Sequence, residues 1–237
     1  MATNKQWATG GSVFLALLIG SKILRLASMK TNEPLAPLES AAAADSSAFA
    51  TLPEEFQSTL RSRLDAKELE VLLRLTAERN WRFTNELKWD DRTKWQRNMA
   101  YFLNEAAASR AKVAKFSEAE KVLNLTLKVI PDKSRASDST AAIVEELHSH
   151  TARFDAYQGL ALVGLQEKNR SSARTGLLRK NAKLALTEYE RGRSTANKLF
   201  QVLAMPADKQ DSFNDAVGWP NQTTLDALSA YADGKNL

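Results

Sequence analysis

No cysteine occurs in the 237-residue sequence, which removes disulfides, thiolate zinc sites and cysteine nucleophiles together. Nine glycines and six prolines are few breaks for this length, and alternating runs of Val, Ile and Thr are scarce. A sheet therefore has little raw material. Histidine is limited to His148 and His150, on either side of Ser149. On a helix such i, i+2 residues point about 200° apart and cannot share a metal. Glu146 with His150 has the right i, i+4 spacing, but two ligands do not make a site. The adjacent Asp90 and Asp91 read as helix-start carboxylates, and Gly10-Gly11-Ser12 lacks the strand and lysine of a phosphate loop. Asn124-Leu125-Thr126 matches a glycosylation pattern but lies inside an expected helix. These residues build no reaction centre, so the chain reads as non-catalytic, with no cofactor and no metal.

What is present is long helical periodicity. An apolar fraction of 43% supports one good core, and the stretch from Ser139 to Met205 contains no proline. Leu147, Phe154 and Ala161 recur every seven residues, with Ile143, Thr151 and Leu165 between them. After a polar joint at Asn169-Arg170-Ser171-Ser172, Ala182, Tyr189, Ala196 and Leu203 repeat at seven, with Leu186 and Phe200 in the complementary places. These stripes predict two helices, over about 139–168 and 171–205, each about 45 Å long and antiparallel because the joint is short. The expected class is all-α: stacked helical hairpins, a long antiparallel pair and an N-terminal membrane-type helix.

That N-terminal helix is expected within residues 1–30. No acid precedes Glu33, and the uncharged stretch Gln6–Ser21 is about 24 Å of helix against about 30 Å of hydrocarbon. Its apolar face would be Val13, Phe14, Leu15, Leu17, Leu18 and Ile19, continued by Ile23 and Leu24 if Lys22 and Arg25 reach for the headgroups, with Trp7 at the opposite interface. A secretory signal, an organellar targeting segment and an interfacial helix are competing readings of the same residues. For a spanning segment, Lys22, Arg25 and Lys30 outnumber Lys5 and place the bulk of the chain on the cytosolic or matrix side. A mitochondrial inner membrane or a bacterial inner membrane then suits the chain.

Residues 31–52, rich in Pro, Ala, Ser and Asp, read as a linker, and residues 53–237 as a helical domain. In its first part Phe56, Leu60 and Leu64 share a face, and Asp65 with Glu68 forms a capping-box pattern before Leu69, Leu72, Leu73 and Leu75. An aromatic centre follows in Trp81, Phe83, Trp89 and Trp95, where Trp95, Met99, Phe102 and Ala106 keep helical spacing. A base-stacking surface is the functional alternative to a core there.

The stretch LNEAAASRAKVAKFSEAEKVLNLTLKVIP, residues 103–131, resembles one tetratricopeptide unit. Leu103 and Ala107 sit where the first helix carries its large and small packing residues, Phe116 and Ala119 where the second begins, and Pro131 at the closing position. Ser117 with Glu120 has the capping-box spacing at the start of the second helix. Arg110 stands where an aromatic is usual, Thr126 where a small residue is usual, and no 34-residue period repeats. The resemblance implies helical hairpins that bind protein.

The net charge of +5 is concentrated in residues 169–198, which hold eight Lys and Arg against two Glu. Arg170, Arg174, Arg179, Lys180, Lys183, Arg191, Arg193 and Lys198 form a candidate basic interaction face. Its counterpart could be an acidic protein surface, anionic lipid headgroups or nucleic acid, the last disfavoured by the membrane-like N-terminus. From Pro206 onward five Asp face two Lys, so an acidic tail is available to lie on the basic helix. Within that tail, Phe213 to Pro220 reads as a loop tied down by aromatics, followed by a short helix with Thr223 and Asp226 as its cap pair and Gly234 as its stop. The whole chain reads as an accessory or scaffold subunit of a multiprotein membrane complex, in contact with other subunits and the bilayer.

Overall fold

A computed structural model describes residues 54–78, 95–130, 139–167 and 170–235. Among these residues the chain forms eight α-helices and no strand, which confirms the all-α class. They are α1 (Glu54–Arg63), α2 (Ala66–Glu78), α3 (Trp95–Lys112), α4 (Phe116–Val129), α5 (Thr140–Gly164), α6 (Ser172–Val202), α7 (Ala207–Val217) and α8 (Gln222–Ala232). The expected membrane segment, with Trp7, Val13, Phe14, Leu15, Leu17, Leu18, Ile19, Ile23 and Leu24, lies outside the described residues. So do the linker and Trp81, Phe83, Trp89, Asp90 and Asp91. Among the described residues no helix is long and apolar enough to cross a membrane.

Local chemistry sets the helix boundaries. Between α1 and α2 the capping box forms in both directions: Glu68 N–H donates to Asp65 Oδ1 at 2.9 Å and Asp65 N–H to Glu68 Oε2 at 3.0 Å. Ser139 and Ser171 cap α5 and α6 by accepting from Ala142 N–H at 3.2 Å and Arg174 N–H at 3.1 Å. Two other expected caps are displaced. Lys115, not Ser117, is the N-cap of α4 and makes no side-chain cap bond, because Phe116 already belongs to the first turn. Glu120 is then free to reach Arg174 on α6. In α8 the cap is Asn221, whose Oδ1 accepts from Thr224 N–H at 2.9 Å, while Asp226 accepts from Gln222 instead of pairing with Thr223.

One helix organises the core. The pairings of Gly164 with Leu178, His150 with Glu188, and Leu147 with Ala196 and Phe200 run in opposite senses along α5 and α6, so the two are antiparallel. The stripe on α5 facing α6 holds Leu147, Phe154 and Ala161, as the seven-residue spacing predicts. A second stripe, Ala156, Leu160 and Val163, packs into the other core with Phe56, Leu60, Leu72, Leu75, Met99, Leu103 and Leu123 from α1 to α4. α5 is therefore buried on both sides, with α1–α4 against one and α6 and α8 against the other. Each fully buried Leu or Phe contributes about 1.5–3 kcal/mol.

Leu203 departs from its stripe. It falls just past the end of α6 and is 47% exposed, because Ala204 turns the backbone left-handed at φ 46° and redirects the chain into α7. α7 itself is a correction: residues 207–217 are helical, not a loop, closed by Gly218 at φ 74°. The α3–α4 hairpin occupies the tetratricopeptide-like stretch, with Leu103, Ala106, Ala107 and Ala119 buried. Arg110 is completely buried there and satisfied by Glu118 Oε2 at 3.2 Å and the Ala106 carbonyl at 3.4 Å. At 18 and 14 residues these helices are much shorter than the 25 and 31 of α5 and α6, so the described helices do not repeat one unit.

Candidate functional site

The eight cations of the α6 region do not share one face. Arg174 lies one turn inside α6 and clamps three elements: its Nη1 and Nη2 donate to both carboxylate oxygens of Glu120 on α4 at 2.8 and 2.7 Å, and its Nε donates to Glu167 beyond α5 at 3.0 Å. Such fork-to-fork pairs are the stronger kind of ion pair. The bonds to Glu120, then to Glu167, hold its guanidinium more firmly protonated than usual. Arg170 donates to the carbonyls of Leu165 and Glu167, closing the end of α5. Both arginines are thus committed to the bundle.

The outward side of α6 is different. At 100° per residue Lys180, Lys183, Arg191 and Lys198 lie away from the buried seam, and all four are exposed. Arg191 Nη1 reaches Glu188 Oε1 at 3.4 Å. Lys180, Lys183 and Arg193 form no ion pair among the described residues. Arg179 leans toward α8 and donates from Nη2 to the Gly234 carbonyl at 3.2 Å. Arg179, Lys180 and Lys183, with Gly176, line one side of an open groove of about 380 Å³, and Ala232, Asp233 and Gly234 line the other. The acidic tail does pack on α6 through α8, but what joins them is Leu178, Ala182 and Ala185 against Leu228, Tyr231 and Ala232.

A second polar centre is buried between α5 and α6, and its key residue escaped the sequence reading. Glu188, with 4% of its side chain exposed, receives a hydrogen bond from His150 Nδ1 at 2.7 Å and an ion pair from Arg153 Nε at 3.3 Å. An ionised carboxylate only accepts, so the imidazole carries its proton on Nδ1. Burial alone would push the Glu188 carboxyl upward. The His150 bond, then the charges of Arg153, His150 and Arg191, outweigh it and hold the group below the usual carboxylate range. Glu146 Oε1 stands 3.7 Å from His150 Nε2, so the i, i+4 spacing does bring the two side chains together. His148 instead meets the Tyr101 hydroxyl at 3.0 Å. Among the described residues no group of three or more acidic or histidine side chains is arranged to hold a metal. The signal for Glu188 was its position: it stands three residues after Ala185 and four before Gly192, inside the buried seam.

The groove and the outward cations can attract anions, whereas the Glu188 centre is closed and fixes the register of the hairpin. No protein-family model, curated protein or solved structure matches this chain.

Proposed function

We propose that the chain is a non-catalytic helical accessory or scaffold subunit of a multiprotein membrane complex, working through protein–protein contacts. Residues 1–30 would tether it, and the linker after them would let the helical body reach its neighbours. The observation that carries this reading is the form of α6: 31 residues, about 46 Å, with its outward side polar and cationic along its length. Exposed apolar side chains mark both of its ends, Leu177 at 46% and Val202 at 50%, as contact points that a neighbouring subunit would cover. The tetratricopeptide-like stretch at residues 103–131 agrees with a protein-binding role. Anionic headgroups of the leaflet on the matrix or cytosolic side are the second partner of the basic side, in a mitochondrial or bacterial inner membrane.

The exposed Lys180, Lys183, Arg191 and Lys198 favour one further reading, a soluble adaptor for an anionic surface or nucleic acid whose N-terminus is a targeting segment. Alkaline carbonate extraction separates the two. The full chain is expected in the membrane pellet and a version starting at Leu35 in the supernatant. Purification in mild detergent should then yield defined partners, and release of a lone chain by high salt would refute the proposal.

A further inference from the structure

The groove between α6 and the end of α8 is lined by three cations and one carboxylate among the described residues. Lys180 and Lys183 stand on its wall and form no ion pair among the described residues. Arg179 gives one N–H to the Gly234 carbonyl, and its Nε is buried with no hydrogen-bond partner among the described residues. On α8, whose end lines the groove, the Tyr231 hydroxyl is also buried and has no hydrogen-bond partner among the described residues. Burial holds that hydroxyl above the usual tyrosine range, and the charges of Arg170, Arg179 and Arg174 offset it only in part. Among the described residues Asp233 is the one carboxylate on the rim, so three cations face a single acid there. An arriving oxyanion would be drawn to this local excess of positive charge.

We propose that this groove is a binding site for a phosphate group, presented by a lipid headgroup or by a small soluble phosphate ester. A phosphate supplies several acceptor oxygens and more than one negative charge, which suits an arginine fork flanked by two ammonium groups better than a single carboxylate does. The volume of about 380 Å³ admits the group with its ester. Arg170 and Arg174 are bound elsewhere and contribute field, not contacts. The lipid source rests on the membrane reading above, and the soluble source does not.

The test is amine acetylation of the full chain in phosphatidylcholine vesicles, with modification at each lysine followed by mass spectrometry. Lys209 on α7, exposed and outside the groove, is the internal reference. One arm adds inorganic phosphate against chloride at matched ionic strength. The other adds phosphatidic acid to the vesicles and omits free phosphate. Protection of Lys180 and Lys183 relative to Lys209 is expected in at least one arm, and the arm names the source. Lys180→Gln should weaken the protection of Lys183 by about fivefold in midpoint concentration. The proposal is overturned by no protection in either arm, by equal protection of Lys209, by equal protection with chloride, or by a Lys180→Gln chain that protects Lys183 unchanged. If carbonate extracts the full chain while phosphate still protects the lysines, the membrane reading fails and the site stands.

Discussion

Replacing Gly192 by alanine tests the packing of α6 against the chain that follows α7. A Cβ at Gly192 would lie 2.3 Å from Trp219 Cη2, 2.7 Å from its Cζ2 and 3.2 Å from His150 Cβ. No real carbon tolerates the first two distances, so the indole must move by about 1 Å or more to reach ordinary contact. It has little room, being edge-on to Tyr189 at 5.4 Å and to Phe154 at 6.3 Å between ring centres. Overpacking of this kind costs about 1–3 kcal/mol. Against that stands a helix-propensity gain of about 1 kcal/mol for Gly to Ala. The net expectation is a loss of about 1 kcal/mol, or about 2–4 °C in melting temperature for a chain of this size. Gly176 supplies the control, because a Cβ there meets nothing within 4 Å. Gly176→Ala should therefore stabilise by up to about 1 kcal/mol. Urea unfolding of both variants, followed by far-ultraviolet circular dichroism, measures the difference. Two substitutions with the same sign and size would refute the placement of Trp219 against α6.

Glu188→Gln should cost about 2 kcal/mol at neutral pH, the scale of a hydrogen bond to a charged group. Because the folded-state carboxyl is held below its unfolded value, its contribution is present above about pH 4.3 and is lost as pH falls toward the folded value, so the variant should lose less stability than the parent over that acid window in urea titrations at stepped pH. Ala114 and Ala204 hold left-handed backbone at φ 59° and 46°, where the Lys115 and Met205 amides close the turns on Arg110 and Phe200 carbonyls. Glycine at either position is expected to raise stability by about 0.5–1 kcal/mol, and a fall in the urea midpoint would contradict the geometry. Arg174→Met removes the clamp on Glu120 and Glu167, and because all three groups are partly exposed a loss of about 1 kcal/mol relative to the parent is expected, a gap that should narrow in 1 M salt as the parent's ion pairs are screened.

The long helices were legible because their chemistry is local. Ser139 and Ser171 mark the starts of α5 and α6, and the seven-residue spacing of Leu147, Phe154 and Ala161 finds the face that meets α6. The second buried stripe of α5 was hidden because Ala156, Leu160 and Val163 add apolar residues all round the helix, which blurs any single stripe. α7 was missed for the opposite reason. Phe213 and Val217 are its main apolar residues, none of its side chains is fully buried, and a mostly polar segment after Pro206 looks like a loop. The committed cations could not be sorted by sequence. Arg174 and Arg179 are set apart mainly by partners 54 and 55 residues away, Glu120 and the Gly234 carbonyl. Glu188 is similar: a carboxylate in an apolar seam is explained only by His150 and Arg153, which the antiparallel pairing delivers from another helix.

Because α5 forms a wall of both cores, neither flank of the body owns a complete interior. A cut on either side of this helix would leave one fragment with its apolar lining open to water. Between residues 54 and 235 the chain is therefore to be truncated, duplicated or shuffled as one indivisible block, and partner-mapping by deletion should trim only outside it.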